Sequence, residues 1–566
     1  MTTAVAQVDL LAWLDEPAAR RGLRTVDPGG DWAFVAYRDL AALTRRAAAG
    51  LLALGVAQDA VVGIVAPGGP TFVAAFFGAL AAGCTPAPLP APSRFQDRAS
   101  HTRQLGAALR VSRPAAVVAD LDALDRVRPL VPSGCPVVDL DTLTAGVPAR
   151  PAYRPPASCA LLQFTSGSTG PARAVRVSRA ALTASVRAIG EWLRMTPADA
   201  TATWLPPYHD MGLVGCLLTP VTHRSEVWLM RPEDFVHRPV RYLECFGRHG
   251  ATLTATPVFG LDYLVRKVGA ERLSGLDFSR WRAVVVGAER IGPATLAAFA
   301  ALLAPYGFEP RALTPAYGLA EATLAVTGAP PGERWRTVTV DPASLRVGAR
   351  VRHGTPDRTG SRLVGCGTPV GATEVSIVDS GGRRQPDGVV GEIMIRGPGL
   401  ADGYLGDATG TATRLTGGTL HTGDAGFLLD GQLYVLGRLG DGVKLRGRML
   451  LAEELEAALH ALGVPPRRVA VLLGHIEGQA SVVVLVERAH PDWLGRAGPV
   501  LGRLAEGARV VLLDAPAGTI ARTSSGKPRR RLLWRDFLDG RLPGTVVAAP
   551  TTAAPMTTAP TTGGIQ

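Results

Sequence analysis

Lysine is almost absent from this 566-residue chain: Lys267, Lys444 and Lys527 stand against 57 arginines. The basic residues are spread along the chain without interleaved aromatics, which are only 6% of it. The net charge of +12 therefore reads as the codon usage of a GC-rich genome and not as a nucleic-acid surface. Where lysine is so rare, each one left marks a candidate position for a compact ammonium in preference to a planar guanidinium. Cysteine is scarce too. Cys84, Cys135, Cys159, Cys216, Cys245 and Cys366 form no CxxC pair, which argues against a disulfide framework and a thiolate zinc site and fits a reducing, cytoplasmic compartment. Residues 1–15 lack a basic region leading into an apolar stretch, so secretion is not expected. The one long uncharged run, 61–92, is cut by Pro67, Gly68, Gly69, Pro70 and Gly83. About 13 helix-compatible residues remain where a membrane span needs about 20, so the run reads as a buried strand, turn and helix.

What is present is a globular composition, 47% hydrophobic and 19% charged, long enough for two or more cores. From about residue 25 to 425, short Val-, Leu- and Ala-rich runs alternate with amphipathic stretches, the pattern of strands with helical crossovers. Residues 161–164 and 283–286 are the clearest strands, and each runs into a glycine-containing loop, where open α/β sheets place ligands. Residues 179–193 read as a helix, 147–156 as a Pro-rich surface linker and 354–361 as a polar loop. Three glycines in 437–442 suit a hinge. Beyond it, 452–462 reads as helix and 469–473 and 481–487 as strands, while the uncharged residues 545–566 read as a disordered tail.

Thr165-Ser166-Gly167-Ser168-Thr169-Gly170 places small residues and four hydroxyls between a buried strand and a helix. Backbone amides there can converge on phosphate oxygens, and the alternative is a plain surface loop. It is no Walker motif, since Pro171, Ala172 and Arg173 follow the last glycine. Gly365-Cys366-Gly367-Thr368-Pro369-Val370-Gly371 likewise fails as a dinucleotide fingerprint.

Four segments occur in the order found in acyl-adenylate-forming enzymes, the superfamily of acyl-CoA synthetases, nonribosomal adenylation domains and luciferases. They are residues 165–170, Ala316-Tyr317-Gly318-Leu319-Ala320-Glu321-Ala322-Thr323, His421-Thr422-Gly423-Asp424 and Thr523-Ser524-Ser525-Gly526-Lys527. The chain also resembles the fatty acyl-AMP ligase branch through Trp204-Leu205-Pro206-Pro207-Tyr208-His209-Asp210-Met211-Gly212-Leu213, and through an insertion between Trp335 and Cys366. The resemblance implies an α/β fold with two bodies. Residues 1–437 would form a large adenylation domain of mixed sheets and packed helices, and 438–544 a small mobile α+β domain, followed by the tail.

The resemblance also assigns roles. The cofactor ATP would lie on Thr165, Ser166, Gly167, Ser168, Thr169 and Gly170, with Gly287, Ala288, Glu289, Ala316, Tyr317 and Gly318 framing adenine. Asp424 would accept from the ribose hydroxyls, assisted by Arg438. Glu321 and Thr169 would hold Mg²⁺, a hard cation that takes oxygen donors. Lys527 would be the catalytic cation and Asp441 the hinge pivot. His209, Asp210, Met211 and Gly212 would face the acid substrate, with His209 acting as a base or only shaping the acyl channel. Read without the surrounding pattern, Tyr317 is a core aromatic, Glu321 a solvated helix start and His421 a packing residue.

Three features depart from the family pattern: Arg173 where lysine is usual, Gly440 in place of the lysine before the pivot, and Met449-Leu450-Leu451-Ala452-Glu453-Glu454, which lacks the polar and aromatic residues usual after Arg446-Gly447. The implied reaction activates a fatty or related acid as its acyl-AMP, then transfers it to the phosphopantetheine thiol of an acyl carrier protein in trans. A coenzyme A ligase and a non-catalytic nucleotide- or carrier-binding homologue are the alternatives. Neither nucleic acid nor stable membrane insertion is expected.

Overall fold

The computed structural model describes residues 9–27, 29–93, 98–148, 153–165, 173–355, 361–406, 413–445, 448–523 and 526–548. The chain divides into two compact units, Met1–Val435 and Leu436–Gln566. The boundary falls inside strand Gln432–Arg438.

In the first unit the run 61–92 resolves as the sequence pattern requires. The β-branched strand Val61–Val65 ends at Gly68 and Gly69, whose φ angles of 129° and 90° suit glycine. Pro70 then starts the buried helix Pro70–Ala81, where its missing N–H costs nothing. Parallel strands Thr85–Pro88, Val61–Val65, Ala116–Ala119 and Val137–Val138 make one sheet in that order. Among the described residues no helix is long and apolar enough to cross a membrane.

A nine-stranded sheet positions most of the candidate residues. Its order runs Thr368–Pro369, Ala325–Gly328, Leu313–Gly318, Ala283–Gly287, Leu253–Pro257, Ala200–Thr203, Glu226–Leu229, Gly22–Val26 and Trp32–Ala36. The six from Leu313–Gly318 to Gly22–Val26 are parallel. From Ala200–Thr203 the chain continues first to Glu226–Leu229 on one side, then returns to Leu253–Pro257 on the other. That reversal is a topological switch point, and it leaves a crevice beyond the carboxyl ends of the two neighbouring strands. Aromatic packing stiffens the layer behind them: Trp281 stacks on Phe246 at 3.6 Å, and Trp204 on Phe235 at 4.3 Å between ring centres.

Strand Cys159–Thr165 turns back into Arg173–Ser178, with Thr165 opposite Arg173, and Gly403–Tyr404 pairs on the outer side of the latter. The helix expected from residue 179 spans Arg179–Trp192, capped by Ser178, whose Oγ accepts the Ala181 N–H. Within the segment read as an insertion, Thr337–Val340 and Ser361–Val364 pair as an antiparallel ladder.

The second unit builds a sheet in the order Val469–Ile476, Gln479–Glu487, Arg509–Ala515, Thr545–Ala548. Helices Ala452–Ala461, Pro491–Leu504 and Arg530–Leu538 accompany it. One expectation is corrected here. Residues 545–548 are not the start of a disordered tail but a strand laid antiparallel on Arg509–Ala515, with Thr545 opposite Asp514 and Val546 opposite Leu513. The two β-branched valines following Thr545 suit an edge strand, which the lack of charge around them obscured. Residues 549–566 lie outside the described residues.

Candidate functional site

The ends of adjacent strands bring together residues distant in sequence. Strand Ala283–Gly287 ends in Gly287, where a Cβ would press within 3.0 Å of the Ala316 carbonyl oxygen on the neighbouring strand. Ala288 follows with φ 67°, a left-handed backbone that non-glycine residues rarely adopt. Strain of that kind at a strand end marks a segment held in place by its surroundings. The Glu289 carboxylate turns to the protein: Oε1 accepts the Phe259 N–H at 2.7 Å, which leaves the backbone of 287–289 as the surface it offers.

Tyr317, near the end of Leu313–Gly318, donates its hydroxyl to Asp424 Oδ2 at 2.6 Å across 107 residues of sequence. Asp424 sits in strand Thr419–Leu429, only 8% exposed, with its N–H held by Thr422 Oγ1. A short hydrogen bond to a carboxylate is charge-assisted, so Tyr317 fixes one oxygen of Asp424. Glu321 lies in the short turn Ala320–Ala322 and is 8% exposed. Its Oε1 accepts the Tyr404 hydroxyl at 2.7 Å. Burial first, then Glu321 itself, pushes the Tyr404 hydroxyl up, so Tyr404 is the donor in this bond. The ring of Tyr317 does pack against the core while its hydroxyl reaches Asp424, whereas Glu321 is buried and not a solvated helix start. Arg173 places its guanidinium carbon 5.7 Å from the Tyr404 ring centre.

Thr165 ends its strand, while Ser166, Gly167, Ser168, Thr169 and Gly170 lie outside the described residues. The glycine-loop expectation therefore stands on the sequence. His209 and Asp210 issue from the switch-point strand Ala200–Thr203 through the turn at Pro206 and Pro207. The His209 ring lies 4.8 Å from that of Tyr208, whose carbonyl accepts the Gln163 side-chain N–H at 2.9 Å. Gln163 belongs to the strand that leads into the glycine loop, so it ties the two segments together. Asp210 Oδ1 takes the Met211 N–H at 2.8 Å and caps the π-helix Met211–Leu218. Gly212 packs where a Cβ would strike the Pro206 carbonyl. His421 sits 3.2 Å from Glu392 Oε2, and Glu392 Oε1 accepts the Gly423 N–H at 3.0 Å.

In the second unit, Arg438 ends strand Gln432–Arg438, and Asp441 closes the short turn Leu439–Asp441. Arg530 meets three carboxylates there: Glu453 at 2.7 Å, Glu456 at 2.8 Å and Asp441 at 3.5 Å. Burial, then Glu453, raises the Asp441 carboxyl against the pull of Arg530. Lys527 is exposed on a turn in which Gly526 has φ 87°, Thr523 N–H donates to the Lys527 carbonyl at 2.8 Å and the Lys527 N–H donates to Thr523 Oγ1 at 3.1 Å. Ser524 and Ser525 lie outside the described residues.

Sequence reasoning missed Tyr404, Gln163 and Glu392. None stands in a motif, and each acts on a residue at least 29 positions away, a distance no periodicity reports.

A mixed α/β unit with hydrogen-bonded polar groups at and near its strand ends, and a second, smaller unit of sheet and helices carrying an exposed lysine turn, has the two-domain fold of adenylate-forming enzymes. The chain belongs to the AMP-binding enzyme family, whose model matches residues 14–405. It is 33% identical over 511 residues to the 4-hydroxyphenylalkanoate adenylyltransferase of Mycobacterium marinum, covering 83% of this chain and 80% of that protein. It is 33% identical over 426 residues to the long-chain-fatty-acid–AMP ligase FadD26 of Mycobacterium tuberculosis, covering 71% and 72%. A solved structure from work on the fatty acyl-adenylate ligases of E. coli and L. pneumophila matches with a TM-score of 0.85 and 29% identity, covering 94% of this chain and 98% of the other. The chain is thus an ATP-dependent, acyl-adenylate-forming ligase that acts on a carboxylic acid and stands close to the fatty acyl-AMP ligases.

Proposed function

We propose that the protein converts a fatty or related carboxylic acid to its acyl-AMP with Mg·ATP and then passes the acyl group to the phosphopantetheine thiol of an acyl carrier protein in trans. A carboxylate oxygen of the acid bonds to the α-phosphorus, and the bond to the bridging oxygen breaks to release pyrophosphate. The observation that carries the nucleotide half is the Tyr317 to Asp424 hydrogen bond of 2.6 Å. It holds a carboxylate ready to accept both ribose hydroxyls beside an aromatic ring suited to a purine face.

Glu321 has the donor chemistry for magnesium, which commonly takes one or two carboxylates and fills its shell with phosphate oxygens and water. Tyr404 holds one of its oxygens and leaves the other to serve the metal; the sequence resemblance names Thr169 as a second residue that would hold it. When bound, Mg²⁺ neutralises phosphate charge. Bringing a carboxylate to a phosphate opposes two anions, so the barrier is chiefly electrostatic and positional, and the Lys527 ammonium lowers it by several kcal/mol. Asp441 is the pivot about which the second unit turns between adenylation and transfer. His209 and Met211 shape the acyl channel. Asp210 supports them as a cap; in the transfer the thiol sulfur bonds to the acyl carbon, the bond to AMP breaks, and the thiol proton passes to water or to the leaving phosphate, so His209 is not required as its base.

Relatives of 32–33% identity carry names of both kinds, acid adenylation and coenzyme A ligation, so the choice of a carrier protein over coenzyme A rests on the sequence resemblance to the fatty acyl-AMP ligase branch. The test is ATP–pyrophosphate exchange over a panel of fatty and aryl-alkanoic acids, followed by mass spectrometry with coenzyme A and carrier protein in competition. The expected result is exchange with at least one acid and acylation of the carrier in large excess. Equal labelling of both acceptors would overturn the carrier assignment.

A further inference from the structure

Tyr404 belongs to none of the segments that carry the family resemblance, yet it touches two charged residues at the phosphate end of the site. We propose that it is a positioning residue, holding Glu321 through its hydroxyl and Arg173 through its ring so that both face the nucleotide phosphates. The proposal rests on the reading of Glu321 as the magnesium ligand.

The geometry is that of a clamp. The Tyr404 hydroxyl meets Glu321 Oε1 at 2.7 Å, the Ala401 N–H meets the Glu321 carbonyl at 2.9 Å, and Thr323 Oγ1 donates to the Gly399 carbonyl at 2.7 Å. Residues 399–404 thereby grip the turn 320–323 at three points, and Thr323 has φ 63°, a backbone that needs such support. On its other side Tyr404 is paired with Val175, two residues beyond Arg173, whose guanidinium lies over the ring. Arg173 is itself opposite Thr165 and closes the base of the glycine loop. One side chain thus orients the acidic and the basic residue that flank the expected phosphate position.

The chemistry explains why a tyrosine stands there. Magnesium demands near-octahedral geometry at short distance, and a carboxylate with one oxygen already bonded presents the other in a single direction. A phenylalanine would keep the ring beside Arg173 but release Glu321 and the part of the Arg173 contact that the hydroxyl makes. A leucine would release both.

The experiment measures ATP binding to the full chain by calorimetry, without acid substrate, in the presence and absence of Mg²⁺. Tyr404→Phe is expected to weaken ATP binding by about tenfold with Mg²⁺ and by no more than about twofold without the metal, since the ring beside Arg173 stays. The Mg²⁺ concentration for half-maximal pyrophosphate exchange should rise by a similar factor. Glu321→Gln should show the same loss, and adding Tyr404→Phe to it should cost nothing more. Tyr404→Leu should weaken metal-free ATP binding as well, through Arg173. A Tyr404→Phe protein with wild-type metal dependence, or one weakened equally with and without Mg²⁺, would overturn the proposal while Glu321→Gln still upheld the metal role. Should Glu321→Gln itself leave metal-dependent binding intact, the underlying reading fails instead.

Discussion

Replacing Arg530 by methionine removes one guanidinium from between three carboxylates. The Arg530, Asp441, Glu453 and Glu456 side chains are only 14%, 5%, 16% and 13% exposed, so water screens the cluster poorly. Methionine fills much of the arginine volume, and what is left is a set of acids without their cation. Breaking a buried pair from one side costs about 3–5 kcal/mol, because an uncompensated charge stays in a poorly solvated place.

The pH dependence follows from the direction of the shifts. Burial already raises Asp441 and Glu456, and Arg530 is the strongest of the groups pulling both back down, ahead of Arg438 and Arg531 at Asp441 and of the Val471 N–H at Glu456. Without it their folded-state values climb further above the unfolded values of about 3.9 and 4.3. A carboxyl raised by folding contributes stability that is full below its unfolded pKa and lost as pH rises through the folded one. The variant should therefore show its whole deficit near neutrality and recover part of it as pH falls toward 5. Hydrogen exchange of helices Arg530–Leu538 and Ala452–Ala461 in the full chain, corrected for the intrinsic rate at each pH, reads that difference directly. A loss under about 1 kcal/mol, or an equal loss at both pH values, would refute the reasoning.

Two further outcomes concern catalysis and packing. Lys527→Ala should reduce ATP–pyrophosphate exchange by two or more orders of magnitude while calorimetric ATP binding stays within about threefold of wild type, since its charge is wanted in the transition state; a matched loss of binding would contradict that. Gly212→Ala forces a methyl against the Pro206 carbonyl, which is backbone and cannot swing aside, so thermal unfolding should show a loss of about 1–3 kcal/mol and the KM for acid should rise more than that for ATP.

Much of the first unit's layout is legible in the chain because its signals are local. The Val-rich run before Gly287 and the proline that opens helix Pro70–Ala81 each declare their element within a few residues. The contacts that orient the site are not local. Tyr317 finds Asp424 across 107 positions and Tyr404 finds Glu321 across 83, and each pair joins elements of different sheets or a strand and a turn, which only tertiary packing brings together. Asp210 caps helix Met211–Leu218 through the adjacent backbone amide, a structural part that its place beside His209 in the motif does not reveal. The strand Thr545–Ala548 was hidden because an uncharged, Thr- and Ala-rich composition outweighed two valines whose pairing partner lies more than 30 residues earlier.

The reversal at strand Ala200–Thr203 has a consequence for how such a protein can change. The segment leading to His209 leaves from one strand, while the backbone of 287–289 and Tyr317 leave from two others further along the sheet. On the proposed reading, reshaping the former would alter which organic acid is accepted while the strands that carry the latter keep their places in the sheet. Appetite for new substrates and fidelity to one energy donor can thus drift independently, each on its own strand.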